Sequence, residues 1–341
     1  MTKKIILAAF VSILFVGCIS TKNINYENLT QKYVSTISES ALRTNLTIIA
    51  SDEMEGRQTG SEGQKKAGRY IIEQYKKAGV SFPKGAKNYY QNVPAAFLNA
   101  KYNGNLSDSE NIWAYIEGTD LKDEVVVLSA HYDHIGIEDG EIFNGADDDG
   151  SGTVALIEIA KAFQKAKNEG NGPRRSVLIL HVTGEEHGLH GSRYYTENPL
   201  FSLKNTVANV NIDMIGRSDD RHIGDNNYVY VIGSDYLSTD LYNVCENANK
   251  KHIGMKLDYT YNDKKDKNRY YYRSDHYNFA KNGIPSVFFF NGVHADYHKA
   301  SDEVDKIEFD ALTKRTKYAF AVTWEIATMD KRLVVDKNDA E

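Results

Sequence analysis

The chain has 341 residues, of which 26% are charged and 41% hydrophobic, and this composition is ordinary for a globular protein with a large core. The length suits one large domain or two small ones. The formal net charge of −6 argues against a nucleic-acid partner, because phosphate contacts need clustered Lys and Arg side chains.

The amino-terminal residues have the pattern of a targeting segment. Lys3 and Lys4 precede an apolar stretch over residues 5–16, which is too short to span a bilayer as a helix, and Gly17 and Cys18 follow it. This arrangement resembles a bacterial lipoprotein signal peptide, which implies cleavage before Cys18 and attachment of lipid to that cysteine. The alternative is an ordinary secretory signal or an uncleaved anchor, with an incidental Cys18. The resemblance predicts an exported cell-envelope lipoprotein that is anchored to a membrane and faces the periplasm or the cell surface.

Helix and strand patterns follow along the rest of the chain. Hydrophobic periodicity predicts helices over residues 33–50 and 65–78, the second of them capped by Gly79. From Asn111 onward the two patterns alternate, with strands predicted over residues 111–116, 125–130, 177–182, 207–212, 228–232 and 287–290. Helices are predicted over residues 152–167, 189–197, 239–252, 276–282 and 309–329, and Cys245 is expected to be buried in one of them. Such alternation is typical of a three-layer α/β fold, a mostly parallel sheet with helices on both faces.

Chemically active side chains fall in five short segments, four of which follow predicted strands. In chain order the segments are HYDH, GADDDGSG, GEE, NIDMIGR and YHKASDE, and they contribute His131, Asp148, Glu185, Glu186, Asp213 and His298. Because an open α/β sheet gathers its ligands at the carboxyl ends of its strands, we expect these side chains to converge in one crevice. Two imidazoles and three carboxylates form a ligand set that suits zinc, and the remaining carboxylate is free to act as a general base.

A pair of metal ions divides the five ligands naturally. Asp148 lies in a glycine-bounded loop that opens a helix, and it is placed to bridge two zinc ions. His131 and Asp213 would complete one site, and Glu186 and His298 would complete the other.

Glu185, the sixth residue, and two further carboxylates, Asp133 and Asp302, are predicted to act beside the metal ligands. Glu185 is the predicted base, because it and the adjacent ligand cannot both face one ion from an extended backbone. Asp133 is expected to fix the tautomer of the His131 imidazole, and Asp302 to do the same for His298. Taken singly, GEE also fits a solvated loop and DDD a helix cap, and His131 also fits a strand-end histidine. Because four of the five segments fall at the ends of successive predicted strands, one shared metal site is favoured over these separate explanations.

The order of these segments resembles that of a known family. HYDH, GADDDGSG, GEEHGLHGS, NIDMIG and YHKASDEVDKI are similar to the motifs of the zinc-dependent M28 aminopeptidases, over roughly residues 111–329. The segment ASDEMEGRQTGSEGQ resembles the stretch that precedes the catalytic core in bacterial members. The resemblance implies a mixed sheet of about eight strands, a co-catalytic site with two zinc ions on the ligands named above, and a cis peptide at Asp148–Asp149. It also implies an oxyanion-binding tyrosine within YYYRSDHYNF, either Tyr271 or Tyr272.

The predicted organisation follows from these segments. A signal peptide over residues 1–17 and a tether over residues 18–30 precede a single M28-type peptidase domain over residues 31–331, and a polar tail covers residues 332–341. Many relatives carry an inserted protease-associated domain, and residues 83–111 are too few to hold one. The predicted activity is the removal of amino-terminal residues from peptides by a metal-bridging water, with Glu185 as base. The predicted partners are peptide substrates and a membrane, and the oligomeric state is open.

Three alternatives accompany this interpretation. Glutaminyl cyclase, a related zinc acyltransferase, keeps most of these ligands but typically has serine where this chain has Asp149. A carboxypeptidase for acidic dipeptides would need arginines around the pocket, and Arg217, Arg221 and Arg273 are available. A catalytically inactive binding ectodomain would have lost ligands or the base, and this chain has lost none of them.

Overall fold

The structure is a computed structural model that describes residues 26–100 and 104–337. The predicted signal peptide, Cys18 and the first part of the predicted tether lie outside the described residues, as do the last four residues of the tail. Within the described ranges, no helix is both long and apolar enough to cross a membrane.

Eight of the strands in the described ranges form one mixed sheet. In chain order the strands are β1 Tyr90–Val93, β2 Ser109–Ile116, β3 Leu121–His131, β4 Gly136–Glu138, β5 Glu141–Phe143, β6 Arg175–Val182, β7 Thr206–Ile212, β8 Tyr228–Ile232, β9 Lys256–Asp258 and β10 Ser286–Phe290. The main sheet has the order β1-β2-β6-β3-β7-β10-β8-β9, and β4 and β5 form a separate hairpin. The four central strands β6, β3, β7 and β10 are parallel to one another, so their carboxyl ends lie along one edge. The fold class and the number of strands are as predicted.

Helices cover both faces of the sheet. They are α1 Tyr26–Val34, α2 Glu39–Ile49, α3 Glu62–Ala78, α4 Ala95–Leu98, α5 Gly152–Asn168, α6 His190–Glu197, α7 Thr239–Ala248, α8 His276–Ala280 and α9 Phe309–Thr328. Along β3, Val126 and Leu128 pack in the larger core with α1, α2, α3, α5, α7 and α9, whereas Val125 and Val127 pack in a second core with α6 and α8. This alternation explains why the central strands are long apolar runs, since both of their faces are covered.

The amino-terminal region differs from the sequence prediction. The helix predicted over residues 33–50 is two helices, because Ser38 adopts an extended conformation and caps α2 by accepting the N–H of Ala41. The predicted tether is wrong for residues 26–30, which belong to α1. The rings of Tyr26 and Tyr33 on this helix lie 6.4 and 5.5 Å from the ring of Trp324 in α9, so α1 docks on the core.

The carboxyl-terminal region also packs further than its polar composition suggests. Leu333 is buried, and the backbone N–H of Val334 donates to the Asp240 side chain. The N–H of Lys337 donates to the carbonyl of Leu237. The predicted tail is therefore docked as far as it is described, up to residue 337. Cys245 is buried in α7, as predicted.

Candidate metal centre

The six predicted site residues meet at the carboxyl edge of the four central strands. His131 is the last residue of β3, and Asp213 directly follows β7. Glu185 and Glu186 lie in the loop after β6, and His298 lies in the loop after β10. Asp148 comes from a helical turn over Ala146–Ser151 that leads into α5.

The donor atoms form two groups that share Asp148. In the first group, Nε2 of His131 lies 3.2 Å from Oδ1 of Asp148 and 3.6 Å from Oδ1 of Asp213. In the second, Nε2 of His298 lies 3.1 Å from Oδ2 of Asp148 and 3.2 Å from Oε2 of Glu186. Ligands of one tetrahedral zinc ion lie about 3.3–3.6 Å apart, since each is roughly 2.0–2.2 Å from the metal. Both groups therefore have nearly the spacing of a ligand set, with one Asp148 oxygen in each.

The loop that carries Asp148 is held in place through its backbone groups. The peptide bond Asp148–Asp149 is cis, which confirms the expectation from the family resemblance. The carboxylate of Asp302 accepts the N–H groups of Asp147 at 3.0 Å and Asp148 at 3.1 Å. The expected contact of Asp302 with His298 is not among the hydrogen bonds of the described residues. Asp302 instead fixes the loop that presents Asp148.

The tautomer of His131 is set by a backbone group. Nδ1 of His131 lies 3.0 Å from the carbonyl oxygen of Asp133, and because a carbonyl only accepts, Nδ1 carries the proton. Nε2 is then left to face the carboxylates, as a metal ligand must. The carboxylate of Asp133 accepts the hydroxyl of Thr59 at 2.7 Å and the backbone N–H of Glu185 at 3.3 Å. Asp133 thus orients the His131 imidazole through its main-chain carbonyl. Its side chain binds the backbone of Glu185, the residue predicted as base.

Comparisons with known proteins agree with this geometry. The sequence model of peptidase family M28 matches residues 111–323, which is more than half of the chain. The chain belongs to this family. It is 30% identical over 213 residues to leucine aminopeptidase 1 of Penicillium rubens; this match covers 60% of the chain and 53% of that protein, so the chain spans about half of the relative's length.

Solved structures share the M28 fold of this chain. BSAP, a zinc aminopeptidase from Bacillus subtilis, superimposes with a TM-score of 0.65 at 16% identity, covering 87% of this chain and 97% of that one. Porphyromonas gingivalis glutaminyl cyclase superimposes with a TM-score of 0.64 at 18% identity, covering 84% of this chain and 98% of that one. At these identities the likeness concerns the fold alone.

The electrostatics of the M28 site favour a bound cation. Desolvation by itself would raise the pKa of Glu186, but hydrogen bonds from His134 and His298 outweigh it and lower the pKa to about 2. Desolvation would lower the pKa of His131, but the neighbouring carboxylates, Glu185 foremost, raise it well above its usual range. Several buried carboxylates therefore stabilise positive charge at this point, and a metal cation would experience the same attraction.

A cavity opens in front of the site. The polar end of this cavity is lined by His131, Asp148, Glu185 and Asp213. Its other walls are mostly apolar or aromatic and are formed by Met214, Tyr270, Arg273, Phe288, Phe290, Val293 and Tyr297. The cavity thus brings a largely apolar wall next to the candidate metal ligands.

The tyrosines predicted to bind an oxyanion are not in this wall. The ring of Tyr271 is buried and packs 4.2 Å from the ring of Tyr236, and the ring of Tyr272 packs 5.1 Å from the ring of Tyr277. Residues 270–272 form a tight helical turn, so successive side chains point in different directions. Tyr270 and Tyr297 are the tyrosines that line the cavity.

Three residues close to the site were not assigned roles from the sequence. His134, the last residue of HYDH, contacts Glu186, and Ser274 contacts Asp213. Arg57 lies beneath the Asp148 loop and donates to four carbonyl oxygens. All three lie in segments that already stood out in the sequence, but nothing in the spacing indicates what they contact.

Proposed function

We propose that this M28 protein is a zinc-dependent exopeptidase that removes amino-terminal residues from peptides, and that it holds two zinc ions. The observation that carries the proposal is the position of Asp148, whose two oxygens lie 3.2 and 3.1 Å from imidazole nitrogens of separate donor groups. The names of the relatives support it, because one is a leucine aminopeptidase and one structural neighbour is a zinc aminopeptidase.

The ligands would divide into two sets. His131 and Asp213 would hold one ion and Glu186 and His298 the other, with Asp148 shared between them. When bound, such an ion pair supplies Lewis acidity and makes a water molecule acidic enough to lose a proton near neutral pH.

Glu185 is placed to handle the proton. Its side chain lines the cavity beside the ligands, and its backbone is tied to Asp133. We assign Glu185 as the general base that takes a proton from the attacking water and passes it to the leaving amine nitrogen. Tyr297 and Arg273, which also line the cavity and whose hydroxyl and guanidinium lie 3.4 Å apart, would stabilise the developing oxyanion.

The cavity walls support an apolar side chain at the cleaved amino terminus. Met214, Phe288, Phe290 and Val293 line the wall next to the ligands and offer an apolar surface to the side chain of a first residue. An apolar wall beside the proposed ions fits an exopeptidase that binds a hydrophobic first residue of a peptide.

The test is the variant Glu185→Gln, assayed on leucine 4-nitroanilide and on short peptides. We expect kcat to fall by about 10²–10⁴-fold, because the amide cannot accept the proton, while elemental analysis after dialysis still gives two zinc ions per chain. Glu186→Gln is the matched variant, and it should lose zinc as well as activity. A chelator should abolish the wild-type activity and added zinc should restore it. Near-normal turnover by Glu185→Gln would refute the assignment.

Glutaminyl cyclase activity is the second candidate, because the fold is shared with such an enzyme. Asp149 is the discriminating residue, and its carboxylate accepts the N–H groups of Gly152 at 2.8 Å and Met214 at 3.1 Å. A peptide with amino-terminal glutamine separates the two activities by mass, since cyclisation removes ammonia whereas hydrolysis removes the whole residue.

A preference for acidic substrates has less support. Of the three arginines considered from the sequence, Arg273 lines the cavity, whereas Arg217 forms an ion pair with Asp296 at 3.0 Å and Arg221 is not among the lining residues. A single guanidinium against a mainly apolar wall suits a neutral side chain better than a carboxylate.

We also propose that the chain is an exported lipoprotein anchored through Cys18. The support is the sequence pattern of residues 1–18. Expression in a bacterium with a labelled fatty acid should label the wild-type chain and not the Cys18→Ala variant. Equal labelling of both chains, or none of either, would contradict the proposal.

A further inference from the structure

The second histidine of HYDH contacts one oxygen of the proposed ligand Glu186. Nδ1 of His134 lies 2.7 Å from Oε1 of Glu186, whereas the other carboxylate oxygen, Oε2, lies 3.2 Å from Nε2 of His298. The two oxygens therefore have different neighbours: Oε1 contacts the imidazole of His134, and Oε2 faces the imidazole of His298, which belongs to the donor group.

The position of His134 is fixed by the surrounding backbone. The side chain is fully buried, and its backbone N–H donates to the carbonyl of Arg57 at 3.2 Å. Gly145, with a φ of +52°, lies against the ring, and a Cβ at this glycine would come within 2.5 Å of Cδ2 of His134. The loop that presents Asp148 thus begins in direct contact with this imidazole, and a glycine is required there.

We propose that His134 is a positioning residue for the zinc site formed by Asp148, Glu186 and His298. Its Nδ1–H holds Oε1 of Glu186, so the carboxylate presents one defined oxygen, Oε2, to the metal. The inference rests on the two-zinc function proposed above. The donor direction follows from the chemistry, because a carboxylate oxygen can only accept when it is ionised.

Direct ligation by His134 fits the distances less well. Its Nδ1 is only 2.7 Å from the Glu186 oxygen, which is a hydrogen-bond length and shorter than the roughly 3.3 Å between ligands of one zinc ion. It is also 3.9 Å from Oδ2 of Asp148. A similar arrangement exists at the proposed zinc site of His131 and Asp213. There the Ser274 hydroxyl donates at 2.6 Å to Oδ2 of Asp213, whose Oδ1 faces His131.

The test uses two substitutions at His134 and a titration of metal-free protein with zinc. His134→Leu removes the donor and keeps much of the volume, and His134→Asn keeps an N–H close to the position of Nδ1. We expect His134→Leu to weaken one of the two zinc-binding steps by about 10–100-fold and to leave the other unchanged. His134→Asn should bind zinc with most of the wild-type affinity. Because an asparagine amide is a poor zinc ligand, this recovery would come from the hydrogen bond to Glu186.

His181→Leu is the matched control, because His181 is also a buried histidine but bonds to Tyr75 and not to a proposed ligand. It should bind both zinc ions like the wild type, and circular dichroism should establish that all variants are folded. Wild-type affinities in His134→Leu would overturn the inference alone. Failure of His134→Asn to recover affinity would also overturn it, in favour of ligation. Fewer than two zinc ions on the wild-type chain would overturn both this inference and the proposed function.

Discussion

The carboxylate of Asp213 depends on a chain of buried polar side chains. Its Oδ2 accepts the hydroxyl of Ser274, which in turn accepts an amide N–H of Asn211 at 2.8 Å. The amide oxygen of Asn211 accepts the hydroxyl of Ser129 at 2.7 Å, and Asn209 donates to that hydroxyl at 2.9 Å. The chain runs between β3 and β7, so the orientation of a proposed ligand is fixed from inside the sheet.

Ser274→Ala should therefore weaken zinc binding at the site of His131 and Asp213. We expect a loss of about tenfold in one binding step, because the freed carboxylate can rotate and the Asn211 amide loses its acceptor. Zinc titration of the metal-free variant measures it. Ser286→Ala is the control, since that buried hydroxyl donates only to the carbonyl of Ile284. Equal zinc affinities for the two variants would contradict the prediction.

At the scale of elements, Arg57 joins three parts of the fold beneath the site. Its buried guanidinium donates to the carbonyls of Ile49 at the end of α2, Tyr132 after β3, and Asn144 and Gly145 in the loop before Asp148. Desolvation lowers the pKa of Arg57, and the carboxylates of the site, Asp148 foremost, oppose that shift. The guanidinium therefore stabilises both the geometry and the negative charge of the loop.

Arg57→Lys should separate these two effects, because lysine keeps the charge but cannot reach four carbonyls in a fork. We expect the free energy of unfolding to fall by about 2 kcal/mol or more, from carbonyls left without a donor. The kcat of the folded variant should fall about tenfold or more as the loop shifts. Denaturant titration and kinetics at a permissive temperature measure both quantities.

Arg175→Lys is the control for that prediction. Arg175 is also buried, but it lies at the amino end of β6 and binds Glu124 and the carbonyls of Ile326 and Met329. This variant should lose stability and keep kcat. A similar loss of kcat in both variants would mean that Arg57 contributes only to stability.

The strands that position the site could be predicted from the sequence. The predicted strand 125–130 is the buried part of β3, with His131 at its end, because a strand covered on both faces is a long apolar run. The first four residues of β3, from Leu121, are more exposed and were not predicted. Short elements were missed, among them β9 of three residues, because such lengths carry no measurable period. The break at Ser38 was missed because a single capping serine interrupts the helical pattern only slightly.

Side-chain directions were harder to predict than positions along the chain. The segment of three tyrosines was identified, but which ring faces the cavity depends on a helical turn that spacing does not reveal. Asp133 and Asp302 were both expected near the site, yet each acts partly through a backbone group. Such contacts arise from tertiary packing, and no local pattern encodes them.

At the scale of the molecule, the first helices belong to the same core as the family-matched region. Tyr33, Leu42, Leu46 and Ile71 lie in one buried cluster with side chains of α5 and α9, although the M28 match begins only at residue 111. Arg57, which also precedes the matched region, donates hydrogen bonds to Tyr132 in HYDH and to the loop before Asp148. Residues 26–60 are thus part of the structure that supports the site.

The larger core contains a buried pair that should make the whole molecule sensitive to acid. Nε2 of His181 on β6 lies 2.5 Å from the hydroxyl of Tyr75 on α3. Desolvation lowers the pKa of His181 from 6.5 to about 3, so the folded state binds fewer protons than the unfolded state in the range between these values. The stability that depends on neutral His181 is complete above pH 6.5 and is lost as the pH falls towards 3, at roughly 1.4 kcal/mol per pH unit.

His181→Gln should remove this pH dependence and leave a side-chain N–H or carbonyl for Tyr75. Between pH 7 and pH 4.5 we expect the wild-type free energy of unfolding to fall by about 2–3 kcal/mol more than that of the variant, because only the wild type must keep an imidazole neutral. Zinc release on acidification affects both proteins alike, so the difference between their denaturant titrations is the diagnostic quantity. Tyr75→Phe keeps the buried imidazole and should retain the wild-type slope. Parallel pH profiles for His181→Gln and the wild type would mean that water or a proton partner reaches His181 within the folded core.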